Sequence, residues 1–298
     1  MTLANNLRQQ LAAGDVLISD GATGTYLQSH GLEPGGCPEE MNSANPEVIQ
    51  AMAREYFFAG ADMVLTNTFG GTSFKLKKYG YGDRVAELNI LGAQHARSQS
   101  RSGQFVAGSI GPTGELLESN SGTTPDSEVY EAFVEQVTAL EAGGVDSIDI
   151  ETMISVEEAS LAIKAAKEYT NLVVISTMMF TRGPRGWFTM MGNSPEDATK
   201  KLRAAGADVV GANCGSGIDD MVILARELRD VDPGYLLIHS NAGIPEIRKG
   251  QIVYPESPKF MAQGFQKLID IGINIVGGCC GTTPTHINVL SELIRKKG

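Results

Sequence analysis

The sequence predicts an α/β fold of the (β/α)8 type, eight parallel strands closed into a barrel and carried as one domain over residues 1–298. Three observations predict it. Short apolar or β-branched runs alternate with stretches of 3.6-residue apolar spacing from end to end. A phrase recurs just before three of the runs: Ala59-Gly60-Ala61-Asp62, Ala142-Gly143-Gly144-Val145-Asp146 and Ala205-Gly206-Ala207-Asp208. In each, a helix ends in glycine and the chain turns inward. Third, the residues that follow the runs are polar, small or sulfur-bearing, and only a closed TIM barrel brings the first and last of these strand ends to one rim.

The elements follow in order. The first run, residues 16–19, ends on Asp20-Gly21-Ala22-Thr23-Gly24. A helix over residues 46–59, with Pro46 at its first position after Asn45, leads to the run at 63–67, which ends Thr66-Asn67-Thr68-Phe69. The third run, 105–109, ends Ser109-Ile110-Gly111-Pro112. A helix over 127–142 precedes the fourth, 147–151, which closes on Glu151-Thr152. The fifth, 173–177, ends Thr177-Met178. A helix over 195–205, opened by Ser194-Pro195, leads to the sixth, 209–213, ending Asn213-Cys214. A helix over 219–229 leads to the seventh, 235–240, ending Asn241-Ala242-Gly243. The eighth, 273–276, runs into Gly277-Gly278-Cys279-Cys280-Gly281. Buried strands alternating with helices indicate a parallel sheet.

Composition excludes several classes of function. Asp and Glu number 35 against 24 Lys and Arg, a formal charge of −11. Such a surface repels phosphate backbones, and no basic run is present to dock on nucleic acid or anionic lipid. Residues 1–10 are polar and lack the apolar core of a signal peptide, and the longest strongly apolar stretch, residues 172–180, is too short to span a bilayer. A soluble, cytoplasmic protein is expected. In a reducing compartment its four cysteines point to metal, catalysis or packing before disulfides.

Cys279 and Cys280 are adjacent and flanked by glycines, which lets the backbone bend enough to aim both sulfurs at one point. A vicinal disulfide would strain the peptide between them. With Cys214 from the sixth strand end they can give zinc a three-sulfur face with one open position, the pattern of a catalytic site. Burial as small core residues is the competing reading, and placement at strand ends favours metal. Cys37, in the Gly35-Gly36-Cys37-Pro38 turn, reads as packing or a surface loop. Zinc keeps a bound thiol ionised yet nucleophilic near neutral pH. Glu151 and Asp20 supply negative charge for an ammonium, where an isolated strand-end carboxylate would by default be a cap or an ion pair. The backbone N–H groups of the Asp20–Gly24 turn can hold a carboxylate. Together these describe a site for an amino acid that carries a thiol.

These motifs resemble the homocysteine S-methyltransferase domain family, most closely the N-terminal homocysteine-binding module of cobalamin-dependent methionine synthases. The resemblance rests on Asp20-Gly21-Ala22-Thr23-Gly24-Thr25, Thr66-Asn67-Thr68-Phe69-Gly70, Ser109-Ile110-Gly111-Pro112-Thr113-Gly114, Glu151-Thr152, Gly211-Ala212-Asn213-Cys214, Asn241-Ala242-Gly243-Ile244-Pro245 and Gly277 through Pro284, in order along nearly the whole chain. It implies a (β/α)8 barrel with zinc on Cys214, Cys279 and Cys280, and Glu151 on the substrate amino group. It further implies Asp20, Gly21 and Thr68 at the amino-acid end, and Asn241 beside the metal in the fourth position before substrate arrives. Two departures stand out. Ser240, after His239, replaces the proline usual before Asn-Ala-Gly; a histidine turned into the barrel wall or helix layer is favoured there over a ligand. The loop from Thr181 to Met191 holds the only tryptophan and two arginines; it either shapes a docking face, closes over substrate, or packs on its own aromatics.

The family divides by methyl donor. With the sequence ending at Gly298, soon after the double cysteine, no corrinoid- or folate-binding domain and no C-terminal extension of the betaine-enzyme kind is expected. Its Thr66-Asn67-Thr68-Phe69 and Asn-Ala-Gly phrases resemble the corrinoid branch. Methylcobalamin or another methylcorrinoid on a separate protein is therefore the expected donor, with homocysteine or a similar thiol as acceptor, making methionine. The alternatives are direct transfer from S-methylmethionine, S-adenosylmethionine or betaine, and a zinc-bearing thiol-binding subunit of a larger complex. An unrelated barrel lyase would want a strand-end lysine, and none is present at the eight ends.

Overall fold

A computed structural model describes residues 3–248 and 250–295 of the chain. The eight expected strands are present: β1 (Leu17–Ile18), β2 (Met63–Leu65), β3 (Phe105–Ile110), β4 (Ser147–Met153), β5 (Val173–Met178), β6 (Val209–Asn213), β7 (Tyr235–Ser240) and β8 (Ile275–Gly278). They form one parallel sheet in the order β1-β8-β7-β6-β5-β4-β3-β2. Eight helices alternate with them: α1 (Pro46–Ala59), α2 (Val85–Gln99), α3 (Asp126–Gly143), α4 (Val156–Tyr169), α5 (Pro195–Ala205), α6 (Ile218–Val231), α7 (Pro258–Ile271) and α8 (Pro284–Arg295). The architecture is a TIM barrel. At α5 the Ser194 hydroxyl accepts the Asp197 N–H as anticipated, whereas Asn45 makes no side-chain cap and α1 relies on Pro46 alone.

The barrel closes through a narrow seam. Only the Ser19–Met63 bridge joins β1 to β2 as a strand pair. Side chains supplement it: Asp62 accepts the Ile18 N–H at 2.9 Å, and Asp20 accepts the Leu65 N–H at 2.8 Å.

The recurring phrase acquires a physical role here. Its glycines Gly60, Gly144 and Gly206 end their helices in the left-handed conformation, as does Gly272 in a fourth, disguised copy, Ile271-Gly272-Ile273-Asn274. The last residue of each copy grips the preceding strand twice. Its N–H donates to a carbonyl (Ile18, Val106, Val174, Leu236), and its side chain accepts the N–H of that same residue. Asp62, Asp146, Asp208 and Asn274 thus pair β1 with β2, β3 with β4, β5 with β6 and β7 with β8.

The interior at the N-terminal end is apolar, with Leu17, Met63, Phe105, Val173, Val209 and Ile275 buried together. The helix Leu3–Ala13 covers that end through Leu7 and Leu11. A larger apolar layer fills the space between strands and helices. Toward the C-terminal end the interior turns polar, with Asp149, His239, Asn213 and Asp20 all buried. Among the described residues no helix is long and apolar enough to cross a membrane.

Candidate metal centre

The three predicted cysteines converge. The Sγ atoms of Cys214, Cys279 and Cys280 all lie within 4.8 Å of one another at the C-terminal rim. Cys214 follows β6 in the left-handed region, φ 61°, a conformation that costs a non-glycine residue of order 1 kcal/mol and holds only where the surroundings enforce it. Its N–H donates to the His239 carbonyl at 3.1 Å, and the Cys279 N–H donates to the Ser240 carbonyl at 2.7 Å. Both anchors are on β7, so one strand sets the reach of sulfurs from its two neighbours. The thiols act on one another. S–H donation from Cys279 and Cys280, against the cost of burial, pulls Cys214 down to about 3, while Cys280 is pushed up to about 11 by its bond to Cys214. The Asn241 side chain lies beside Cys214, and its buried Oδ1 has no protein donor.

A cavity of about 260 Å³ opens on this trio. Asp20, Gly21 and Glu151 line it with the three cysteines. Glu151 is held by the Ser109 hydroxyl at 2.5 Å and by Asn213 Nδ2 at 3.0 Å. Its placement comes from an irregularity in β4, where the register shifts between Ile150 and Met153 and Thr152 adopts φ 58°. Asn213 fixes that irregularity: its Oδ1 accepts the Thr152 N–H at 2.7 Å, and its Nδ2 reaches the Thr152 hydroxyl at 2.6 Å. Burial, together with the nearby Cys214, pushes Glu151 up to about 7. Burial likewise raises Asp20, against the Leu65 N–H that it accepts.

Two other predicted residues lie off the cavity wall. Thr68 is fully buried, its hydroxyl donating to the Ser109 carbonyl at 2.8 Å, so it braces β2 against β3. Asn241 is buried beside Cys214. His239 does reach the cavity wall; its ring lies over Gly277, where a Cβ would come within 3.0 Å of it, and burial pushes it down to about 3, a neutral imidazole. Cys37 is buried among Leu76, Val85 and Leu88, its S–H toward Glu39. In the 181–191 loop, Thr181–Gly183 and Gly186–Phe188 pair as an antiparallel hairpin. Trp187 is buried beneath it, and Arg182 lies over the indole and pairs with Asp220 at 3.0 Å. The loop packs on its own aromatic.

Sequence reasoning missed Glu39, which lines the cavity and whose carboxylate accepts the Gly70 N–H at 2.6 Å, and Tyr254, whose ring lies against Gly281, next to Cys280. Neither follows a barrel strand directly, so strand-end logic passes over both.

Known proteins resemble the chain in sequence and in fold. Over 94% of its length the chain is 30% identical to methionine synthase of Mycobacterium leprae and 31% identical to that of Mycobacterium tuberculosis. It spans only 24% of the length of either. In fold it matches the metallated form of the homocysteine methyltransferase MmuM from Escherichia coli, with a TM-score of 0.80 at 20% identity, covering 97% of this chain and 100% of that one. The family model described as homocysteine S-methyltransferase matches residues 17–294, from β1 to the last turn of α8. By that match, the chain belongs to the homocysteine S-methyltransferase family.

Proposed function

We propose that the chain transfers a methyl group to the thiol of homocysteine, with zinc held by Cys214, Cys279 and Cys280. The observation that carries the reading is the convergence of three sulfurs on a cavity that Asp20 and Glu151 also line. The residues fit the metal. Tetrahedral zinc–sulfur bonds of about 2.3 Å set sulfurs about 3.8 Å apart, so a trio within 4.8 Å needs little contraction. Soft thiolates suit zinc, and the orphaned Asn241 Oδ1 beside them is a fitting occupant of the fourth position. Bound zinc supplies an ionised substrate thiol that stays nucleophilic at neutral pH.

The chain's own groups then orient the amino acid. Glu151 and Asp20 take the ammonium. The Ala22 N–H is already given to Thr282 Oγ1, so the substrate carboxylate falls to the open N–H groups at the start of the helix Gly24–Ser29. Asn213 and Ser109 hold Glu151 at a fixed distance from the sulfurs, which directs the thiol of a bound homocysteine toward them. In the transfer one S–C bond forms, the thiol proton is lost, and the donor departs with the electron pair of its broken bond to carbon.

The donor in this reading is a methylcorrinoid on a separate protein. Its support is the partial match to methionine synthases, whose remaining length lies outside the matched segment. Incubating the zinc-loaded chain and homocysteine with a methylcorrinoid protein, S-methylmethionine, S-adenosylmethionine or betaine separates the donors. Methionine formed from S-methylmethionine without a corrinoid protein would overturn this choice. Cys279→Ser, by losing a thiolate, should lower zinc content below stoichiometric and abolish turnover together, as metal analysis beside the assay will show. Full activity of a metal-free Cys279→Ser chain would sink the zinc reading.

A further inference from the structure

The turn proposed for the amino-acid end and the turn that carries two of the sulfurs follow neighbouring strands, β1 and β8, and one side chain is fixed between them. Thr282 lies buried just past the double cysteine. Its hydroxyl donates to the Cys279 carbonyl at 2.7 Å and accepts the Ala22 N–H at 3.2 Å. Two glycines leave it that place. A Cβ on Gly21 would stand 2.7 Å from the hydroxyl oxygen, and one on Gly278 would collide with the same oxygen. Tyr56, from α1, secures the arrangement: its hydroxyl donates to the Ala22 carbonyl at 2.9 Å, with the Thr282 carbonyl 3.4 Å away. Two backbone donors join the same turns, the Gly278 N–H on the Asp20 carbonyl at 2.8 Å and the Gly281 N–H on the Thr25 hydroxyl at 3.3 Å. Of these links, the Thr282 hydroxyl alone bonds a ligand cysteine and the Asp20–Gly24 turn through one atom.

We propose that Thr282 is a positioning residue that sets the separation between the amino-acid end of the cavity and the metal, and thereby selects homocysteine over cysteine. The inference rests on the zinc-site reading above. Gly21, Ala22, Gly278 and Cys279 line the cavity and Thr282 does not, so it acts through them. The two amino acids carry the same ammonium and carboxylate and differ by one methylene between Cα and sulfur. One methylene of apolar contact discriminates only modestly, so selection depends on how rigidly the reach is fixed. A loose turn could slide toward the metal and admit the shorter thiol. A turn bonded to the carbonyl of a metal ligand holds its distance, and a displacement of about 1 Å is enough to matter.

The test compares wild type, Thr282→Ser, which keeps the hydroxyl, and Thr282→Val, which replaces it with a methyl. Cobalt-loaded protein is titrated with homocysteine and with cysteine. The sulfur-to-metal charge-transfer band gains intensity when a fourth sulfur arrives and gives both dissociation constants. Metal-free protein is followed by hydrogen exchange at the Ala22 amide. Wild type should hold homocysteine more tightly than cysteine. Thr282→Val should lower that preference about tenfold, the scale of one buried hydrogen bond, and speed Ala22 exchange; Thr282→Ser should restore both. An unchanged preference or unchanged Ala22 exchange in Thr282→Val overturns the proposal, as does a wild type without preference. So does an equal loss in Thr282→Ser and Thr282→Val, which would assign the residue to packing alone. A purely structural role would weaken both thiols and leave their ratio. Should Thr282→Val fail to fold, Tyr56→Phe decides, since it releases the Ala22 carbonyl of the same turn: the preference must fall, and no change overturns the proposal. Neither readout involves a methyl donor or turnover, so methyl transfer and the role of Thr282 can fail separately. A wild-type chain that takes up no metal, or binds neither thiol, overturns both.

Discussion

Asn213 does more at the site than its place beside a cysteine suggests. Thr152 and Cys214 both hold positive φ, and the Asn213 side chain bonds the first while its own peptide leads into the second. The strain of two left-handed non-glycine residues is held by one amide, which also fixes Glu151. Glu151 carries the pH behaviour of the amino-acid end. Its carboxyl, pushed up to about 7 by burial first and by Cys214 second, becomes an anion only as pH climbs through that value. Binding of homoserine, which offers an ammonium without a thiol, should strengthen as pH rises from 6 to 8. In Glu151→Gln it should be weaker and flat over that range, by calorimetry. An unchanged slope in the variant would remove Glu151 from ammonium binding. The place of Glu151 on the cavity wall was legible in the sequence because a carboxylate closes a strand; the part Asn213 plays was not, because its bonds cross from β6 to β4.

Among elements, the phrase that repeats before every second strand is the clearest device. Each copy places a carboxylate or amide oxygen where a strand N–H would otherwise lack a partner at the barrel's bottom. Three copies could be read directly, since Gly and Asp stand at fixed offsets. The fourth hid because Asn274 replaces the acid, yet it shows that a neutral oxygen suffices. Asp62→Asn should therefore leave stability nearly unchanged, while Asp62→Ala should cost about 1–3 kcal/mol by orphaning the Ile18 N–H at the seam. Equal losses in urea unfolding would mean that charge, not acceptance, matters there. The strands themselves were legible within a residue or two because they are buried on both faces. The hairpins were not. Thr181–Gly183 and Glu246–Arg248, the latter paired antiparallel with Gln251–Val253, are exposed runs of three residues, too short for a pattern to report.

For the molecule as a whole, the polar half of the interior is where stability is given up. Asp149 is fully buried on β4 with neither oxygen bonded to a protein group, and burial, then Glu151 and Asp20, raise its carboxyl well above the usual range. The folded chain keeps this proton where the unfolded chain loses it, above about 3.8. Stability therefore falls as pH rises from there toward the folded value. Asp149→Leu should raise the melting temperature, and by more at pH 8 than at pH 4; a gain independent of pH would point to packing alone. Closure of the barrel was legible because only closure gathers Asp20, Cys214 and Cys279 at one mouth. How thinly it closes was not, since β1 shows its two-residue length only once paired. Asp20 belongs both to that seam and to the cavity: the carboxylate that receives the Leu65 N–H is one that a ligand would also engage. Occupancy and closure therefore share an atom group. With deuterium in the solvent, the Leu65 amide becomes a clock for the seam, and homocysteine bound in the mouth should slow its exchange while leaving Phe105, bonded to the Asp62 carbonyl, untouched.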